Sequence, residues 1–321
     1  MLLEEFTFLS SDNKTNVYAI CCTPKDGKFT RIMQIIHGMT EHIGRYLHFC
    51  EYLTTKGFLV IGHDQLGHGK TATKPEDFGY YGEPDPNALA IDDIHKLRVL
   101  YQNKYPNLPF FMLGHSMGSY LLRQYISNHS ERLAGALIIG TGYVPYCTTV
   151  FGINMVKILT CFKGSHHRSN FLKNMSLGTS YYKKYDLTKT DPTNSWVCRD
   201  AEVVKKFYDD KMCQFDFTLN GYLTLFQAVQ NSCNPSYVMK IKRDLPIIFV
   251  SGDCDPVGSN GEGVKKAYEL MKSIGSLDVT MKLYNDARHE VLNETNKEEV
   301  YEYLLKWLDE KTLLFEKNKS Q

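Results

Sequence analysis

Short apolar runs recur along the chain, almost uninterrupted by polar residues. Each is too short for a helix, and a run without polar–apolar alternation is typical of a strand buried on both faces. The runs occupy residues 32–36, 58–61, 110–113, 136–139 and 247–250, and a later one covers Val279–Tyr284. They predict a mostly parallel sheet. Residues 5–9 and 17–23 alternate instead, which predicts an antiparallel pair of strands at one edge.

Helical patterns lie between these runs. Tyr46, Phe49, Cys50 and Leu53 are spaced like one face of a helix, and Gly57 follows where such a helix would end. Two more stripes contain Ile91, Ile94, Leu97 and Tyr101, and Val300, Leu304, Trp307 and Leu308. Strands that alternate with helices predict βαβ units, and hence an α/β fold.

The alternation stops between residues 143 and 240. This stretch is rich in Tyr, Lys, Asn and Asp, and it contains helical fragments without a clear strand run. We expect a mainly helical cap inserted over one end of the sheet. The core is then built from residues 1–142 and 241–321.

Composition excludes several classes of protein. The chain has 321 residues, is 43% hydrophobic and carries a formal net charge of +1. This balance is typical of a globular protein, and it disfavours a basic surface that binds nucleic acid by charge. We expect neither a signal peptide nor a membrane-spanning helix, because the required apolar stretches are missing. Nine cysteines without a CxxC pair indicate free thiols in the cytoplasm.

The strongest chemical signal is a candidate nucleophile. Residues 114–118 read GHSMG, with a buried strand pattern before them and an amphipathic helix pattern after them. In this context G-x-S-x-G predicts a nucleophile elbow, a tight turn that presents Ser116 above the sheet. The glycines are needed because a side chain at either position would collide with the turn or with the neighbouring helix.

A serine nucleophile needs a base and an acid, which in such a fold follow later in the chain. His289 follows the last predicted strand and is the candidate base. Asp253 and Asp255 both follow the run at 247–250. An Asp directly at a strand end often bonds the backbone of its own turn, so we assign that role to Asp253 and the catalytic role to Asp255.

Two backbone N–H groups are expected to bind the oxyanion of the reaction. One belongs to Met117, the residue after the nucleophile, and the other to Met39, in the loop after the run at 32–36. This chemistry requires no cofactor. We expect no metal site, because no histidine pair comes with further ligands at a suitable spacing.

With these residues in place, the sequence resembles the monoacylglycerol lipase and lysophospholipase-like α/β-hydrolases, also called hydrolase_4 or serine aminopeptidase-like. The resemblance covers about residues 15–310, apart from most of the cap, and it implies an eight-stranded α/β-hydrolase sheet. The motifs that carry it are HGMTEHIGRY (residues 37–46), HDQLGHGK (63–70), GHSMGS (114–119), GDCDPVG (252–258) and ARHEVLNE (287–294).

The resemblance also implies roles for individual residues. It places the second Asp of GDCD, Asp255, in the triad, and it assigns the oxyanion donors to Met39 and Met117. Glu41 and Arg45 resemble a pair that supports the oxyanion loop, whereas Asp64 resembles a structural residue. Lys70 departs from the family pattern, which usually has a structural Ser there. No substrate is implied, because the cap matches too poorly.

The substrate class rests on the cap. Residues 150–162 are mostly apolar. They form an acyl-chain wall or a lid that touches a membrane transiently, or else a helix packed on the core. Under the first interpretation Phe151, Met155, Leu159 and Phe226 contact the substrate, a monoacylglycerol or a lysophospholipid. Phe215, Phe217, Tyr222 and Leu225 either join them or pack the cap.

Other functions stay open at this point. A small-ester esterase, a thioesterase or an aminopeptidase-like hydrolase would use the same three residues. A binding protein without catalysis is disfavoured because it would be expected to lose triad residues, and all three are present. The oligomeric state is not predicted.

Overall fold

The computed structural model describes residues 1–177 and 179–319. Its sheet contains all the strands that the apolar and alternating runs predict. Their bounds are β1 (Leu2–Leu9), β2 (Asn16–Thr23), β3 (Arg31–Ile36), β4 (Phe58–His63), β5 (Phe110–His115), β6 (Gly135–Ile139), β7 (Ile247–Gly252) and β8 (Val279–Tyr284).

In the described residues the strands form one eight-stranded sheet in the order β1-β2-β4-β3-β5-β6-β7-β8. β1 pairs antiparallel with β2, and β2 pairs antiparallel with β4, so the predicted edge pair is confirmed. All other pairings are parallel. The carboxyl ends of β3 to β8 therefore lie along the same side of the sheet, and the α/β-hydrolase expectation is confirmed.

Helices follow most strands. The α-helices are α1 (Leu47–Thr55), α2 (Pro86–Lys104), α3 (Met117–Tyr125), α4 (Tyr146–Lys163), α5 (Asn170–Leu177), α6 (Ala201–Asp209), α7 (Leu219–Cys233), α8 (Pro235–Val238), α9 (Glu262–Ser273) and α10 (Lys297–Lys319). Within the described residues, each helix is too short or too polar to cross a bilayer.

The sheet has an apolar core on each face. α1 and α10 cover one face, where Phe49, Leu304 and Trp307 pack against the strands. α2, α3 and α9 cover the other, and α7 packs on α2 and α3. Because both faces are covered, the strands β3 to β7 are almost wholly buried, which explains their uninterrupted apolar runs.

The stretch between β6 and β7 holds α4 to α8 and, among its described residues, no named strand. We call it the β6–β7 segment. α4 packs on α7, and α7 in turn joins the core helices. Residues 193–199 of this segment lie against the loop that follows β8, a contact described below.

Candidate active site

Ser116 lies in a sharp turn between β5 and α3. Its φ is 54° and its ψ is −122°, a conformation that costs a non-glycine residue energy and is maintained by its surroundings. The Ser116 N–H donates to the Ile139 carbonyl oxygen at 3.0 Å, which anchors the turn to β6. A side chain at Gly118 would overlap the backbone of β3, and one at Gly114 would overlap Gly118. Both positions therefore require glycine for steric reasons.

Asp255 and His289 meet at the carboxyl ends of β7 and β8. The His289 Nδ1 lies 3.0 Å from each carboxylate oxygen of Asp255, and both side chains are almost completely buried. Asp255 also accepts hydrogen bonds from the Ser251 hydroxyl at 3.0 Å and from the Val257 N–H at 2.9 Å. The carboxylate is thus held in place by groups besides the imidazole.

The other ring nitrogen of His289, Nε2, is buried and has no hydrogen-bond partner among the described residues. The ring lies close to the elbow, because its centroid is 4.8 Å from that of His115, the residue before Ser116. A side chain at Gly140 would lie 3.1 Å from the His289 Cε1. The glycine therefore leaves room for the imidazole beside the turn.

Asp253 has a different environment from Asp255. Its Oδ1 accepts a hydrogen bond from the Asp286 N–H at 2.8 Å, across to the turn after β8. Asp253 thus bonds a backbone N–H, as the sequence predicts, but that N–H belongs to the turn after β8 and not to its own turn. Of the two carboxylates, Asp255 is the one hydrogen-bonded to His289.

The loop after β3 approaches Ser116 closely. A side-chain carbon at Gly38 would lie 2.9 Å from the Ser116 Cβ. His37 orients this loop, since its Nε2 accepts from the Gln65 N–H at 3.0 Å and its Nδ1 lies 2.8 Å from the Gly38 carbonyl oxygen. Nδ1 therefore carries the proton and donates it. The next N–H, that of Met39, then points away from His37, because the C=O and N–H bonds of a trans peptide point in opposite directions.

A buried ionic network connects this loop to the loop that carries His289. Glu41 accepts a hydrogen bond from the Gly38 N–H, and Arg45 bonds Glu41 at 2.9 Å. Arg45 also forms a bidentate pair with Glu290, at 2.6 and 2.7 Å. Glu290 directly follows His289, so one guanidinium links the candidate oxyanion loop to the candidate base.

The charges in this network are strongly coupled. Burial by itself would raise the pKa of Glu41, but the hydrogen bond from His115 and the charge of Arg45 hold that pKa well below its usual range. Burial opposes the protonated form of His115, yet Glu41 raises the pKa of this histidine. The Glu41 carboxylate is therefore ionised at neutral pH.

The β6–β7 segment contributes a clasp, residues 193–199, that holds the His289 loop. The carbonyl oxygen of Val197 accepts from the Glu290 N–H at 2.7 Å, and that of Trp196 accepts from the His289 N–H at 3.4 Å. The Trp196 and His289 rings have centroids 5.1 Å apart. The clasp escapes sequence reasoning because backbone carbonyls make these bonds, and any residue supplies them.

The four predicted substrate contacts do not share one environment. Met155, Leu159 and Phe226 are half-buried and pack in the apolar cluster that contains Met117. Phe151 is 55% exposed and points away from that cluster into solvent. Three of the four therefore belong to the apolar core on this face of the sheet.

A surface cavity of about 570 Å³ lies elsewhere, between residues 27–30 and residues 104–108. These residues precede β3 and β5, so the cavity is at the amino ends of the strands, opposite Ser116. In open α/β sheets, ligands bind at the carboxyl ends. The cavity is therefore separate from the candidate active site.

One further group is not visible from sequence spacing. His42, Asp210 and Cys213 bring one metal-binding atom each to within 4.8 Å of one another. His42 is far from the other two in the chain, so only the fold shows that they meet. The short spacing of Asp210 and Cys213 is the one local signal of this group.

Comparison with known proteins assigns the chain to a family. The Hydrolase_4 family model, described as serine aminopeptidase, S33, matches residues 27–296. Human monoglyceride lipase is 26% identical over 291 residues, which are 87% of this chain and 82% of that protein. An abhydrolase domain-containing protein of Dictyostelium discoideum is 25% identical over 94% of this chain, which spans 28% of that protein's length.

The solved structures agree with this assignment. The crystal structure of a highly thermostable carboxyl esterase from Bacillus coagulans, in complex with glycerol, matches with a TM-score of 0.88 and 29% identity. The match covers 97% of this chain and 99% of the esterase. The chain therefore belongs to the Hydrolase_4 (serine aminopeptidase, S33) family of α/β-hydrolases, and it is a carboxylic ester hydrolase.

Proposed function

We propose that the chain hydrolyses esters of monoacyl lipids, such as monoacylglycerols or lysophospholipids, with Ser116, His289 and Asp255 as its catalytic triad. The observation that carries the proposal is the state of His289. Asp255 binds its Nδ1 at 3.0 Å, and its buried Nε2 has no partner among the described residues, close to the strained Ser116 turn. This is the arrangement that a general base requires.

The reaction follows from these positions. The Nε2 of His289 takes the proton of the Ser116 hydroxyl while Oγ attacks the ester carbonyl. Asp255 keeps the imidazole in the required tautomer and stabilises its positive charge. The protonated His289 then gives its proton to the leaving alcohol, which leaves an acyl-enzyme. Water, activated by His289, hydrolyses that intermediate and releases the fatty acid.

The Met39 and Met117 N–H groups are proposed to bind the oxyanion. Met117 is the first residue of α3, and the N–H groups of a first helical turn have no intrahelical acceptor. The Met39 N–H belongs to the peptide whose carbonyl His37 holds, next to Ser116. Fixed donors stabilise the developing charge without a reorganisation cost. No step needs a metal or a cofactor.

The apolar cover supports a lipid substrate. We propose that residues 143–240 form a cap in which Met155, Leu159 and Phe226 line the acyl site, since they pack in the cluster that contains Met117. Phe151, which is exposed, is assigned to transient contact with a lipid surface instead. Human monoglyceride lipase, one of the relatives, agrees in name with a monoacyl substrate.

A cytoplasmic location fits this function. All nine cysteines are free thiols, and six of them are buried. Thiols in this state are typical of a reducing compartment.

Turnover of p-nitrophenyl esters and glycerol monoesters of increasing acyl length tests the proposal. We expect kcat/KM to rise by up to roughly fourfold per added methylene, because burying one methylene contributes about 0.8 kcal/mol. Ser116→Ala should reduce kcat by about 10⁶-fold while the melting temperature stays the same. The variant is matched because it removes only one hydroxyl.

Two outcomes would contradict the proposal in different ways. Serine-dependent activity confined to acetates and butyrates would reject the monoacyl lipid and favour a small-ester esterase. Turnover retained in Ser116→Ala would reject the triad itself.

A further inference from the structure

Three side chains with metal-binding atoms converge beside the loop after β3. His42 ends that loop, whereas Asp210 precedes and Cys213 ends the 3₁₀ turn Lys211–Cys213 of the β6–β7 segment. One ligand atom from each lies within 4.8 Å of the other two. We propose that His42, Asp210 and Cys213 form a binding site for a zinc ion, outside the catalytic triad.

The geometry is close to that of a zinc site. Bonds of about 2.0–2.3 Å to nitrogen, oxygen and sulfur place tetrahedral ligand atoms roughly 3.3–3.8 Å apart. The His42 Nε2 and the Asp210 Oδ2 are 2.8 Å apart, so they separate slightly when a metal replaces their hydrogen bond. The Cys213 Sγ lies within 4.8 Å of both, so it needs to approach by at most about 1 Å. Three protein ligands leave a fourth position for water.

The ligands are held before metal arrives. Asp210 caps the turn, because its Oδ1 accepts from the Met212 N–H at 2.9 Å, while its Oδ2 faces His42. Cys213 ends the same turn, and its side chain is fully buried. Asp210 is 28% exposed at its side chain, so a metal ion enters from its side. A soft thiolate beside an imidazole and a carboxylate favours zinc over calcium or magnesium.

The local charge also favours a cation. The Arg45 guanidinium acts on Cys213, but Arg45 is paired with both Glu41 and Glu290. Asp210 adds a third carboxylate, so the carboxylates outnumber Arg45 and Lys189, two basic side chains that act on the Cys213 thiol.

Metal binding would connect two parts of the molecule that are far apart in the sequence. His42 follows Glu41, the acceptor of the Gly38 N–H, whereas Asp210 belongs to the β6–β7 segment. A zinc ion would fix this segment to the candidate oxyanion loop with bonds stronger than the present His42–Asp210 contact.

Cobalt provides the test, because thiolate-bound Co²⁺ has a near-ultraviolet charge-transfer band. We expect the metal-stripped protein to develop this band with one equivalent of Co²⁺ and to lose it when Zn²⁺ is added. The band should vanish in Cys213→Ser. In His42→Gln and in Asp210→Asn, the affinity for Co²⁺ measured from this band should fall at least tenfold. Cys147→Ser and Cys161→Ser are matched controls, since both thiols are exposed.

The result that overturns the site is a band that persists in Cys213→Ser or disappears in either exposed-cysteine control. Absence of any band in the wild-type protein would also reject it. The readout is independent of ester turnover and is obtained equally with Ser116→Ala. Circular dichroism of each variant shows that a lost band does not come from unfolding.

Discussion

The loops at the carboxyl ends of the strands and the helices α4 and α5 that follow β6 differ in how their side chains are held. In the loops, Asp255 is 0% exposed and Glu41 is 3% exposed, and both are satisfied by several hydrogen bonds. On the helices, large apolar side chains face solvent, with Phe162 at 82% and Tyr146 at 64% exposure. The polar groups are buried, and part of the apolar surface is not.

This inversion separates two tasks. Buried, fully bonded carboxylates keep the candidate catalytic groups in one arrangement, as electrostatic preorganisation requires. Exposed apolar side chains on α4 and α5 have few fixed partners, so they adapt to what they contact. The chemistry is thereby expected to depend on the loops, and the choice of substrate on the helices.

The largest difference that we expect between the two regions concerns the effect of their histidines on stability. Burial lowers the pKa of His37 and of His63 to about 4, and that of His68 to about 3, whereas His167 on the β6–β7 segment is exposed. Between pH 6.5 and 4 these three histidines bind protons in the unfolded chain but not in the folded chain. The free energy of unfolding therefore decreases as the pH is lowered, by up to about 1.4 kcal/mol per pH unit for each buried histidine.

Urea denaturation at pH 7, 6 and 5 measures this slope. His63→Leu should reduce the slope by one histidine's share, since neither ring nitrogen of His63 has a partner among the described residues. His167→Gln is the control and should leave the slope unchanged. Equal slopes in wild type and His63→Leu would show that His63 is not buried as a neutral group.

A smaller effect is expected on α4. Phe151→Ser removes an exposed side chain, so turnover of a water-soluble short-chain ester should stay within about twofold, while turnover of esters presented in vesicles falls a few-fold. Met155→Ser removes a half-buried side chain that packs against the apolar core and should destabilise the fold by roughly 2 kcal/mol. Kinetics in both formats, with melting temperatures, compare the two. Equal losses in both formats for Phe151→Ser would remove the distinction between the faces.

The strands were predictable because their environment is uniform. A strand covered on both faces is apolar at every position, so the runs that become β3 to β7 are visible without knowledge of their neighbours. The elbow was predictable for a similar reason, since two glycines and a serine are required within five positions by local sterics. Asp253 and Asp255 were separable by their distance from the strand end.

The supporting contacts were not predictable in the same way. The bidentate Arg45–Glu290 pair joins residues 245 positions apart, and the clasp uses backbone carbonyls that carry no sequence signal. The direction of the Phe151 side chain depends on how α4 is rotated against α7. A helix with apolar residues on all sides does not reveal that rotation from its sequence. What escaped prediction is therefore long-range polar pairing and helix rotation.

Covalent labelling tests the central claim most directly. A fluorophosphonate reacts with an activated serine, and mass spectrometry of the digested protein locates the adduct. We predict one adduct, on Ser116, that is absent in Ser116→Ala, forms about 10⁴-fold more slowly in Asp255→Asn and at a near-normal rate in Asp253→Asn. An adduct on another serine, or undiminished labelling in Asp255→Asn, would contradict the assignment of Ser116, His289 and Asp255.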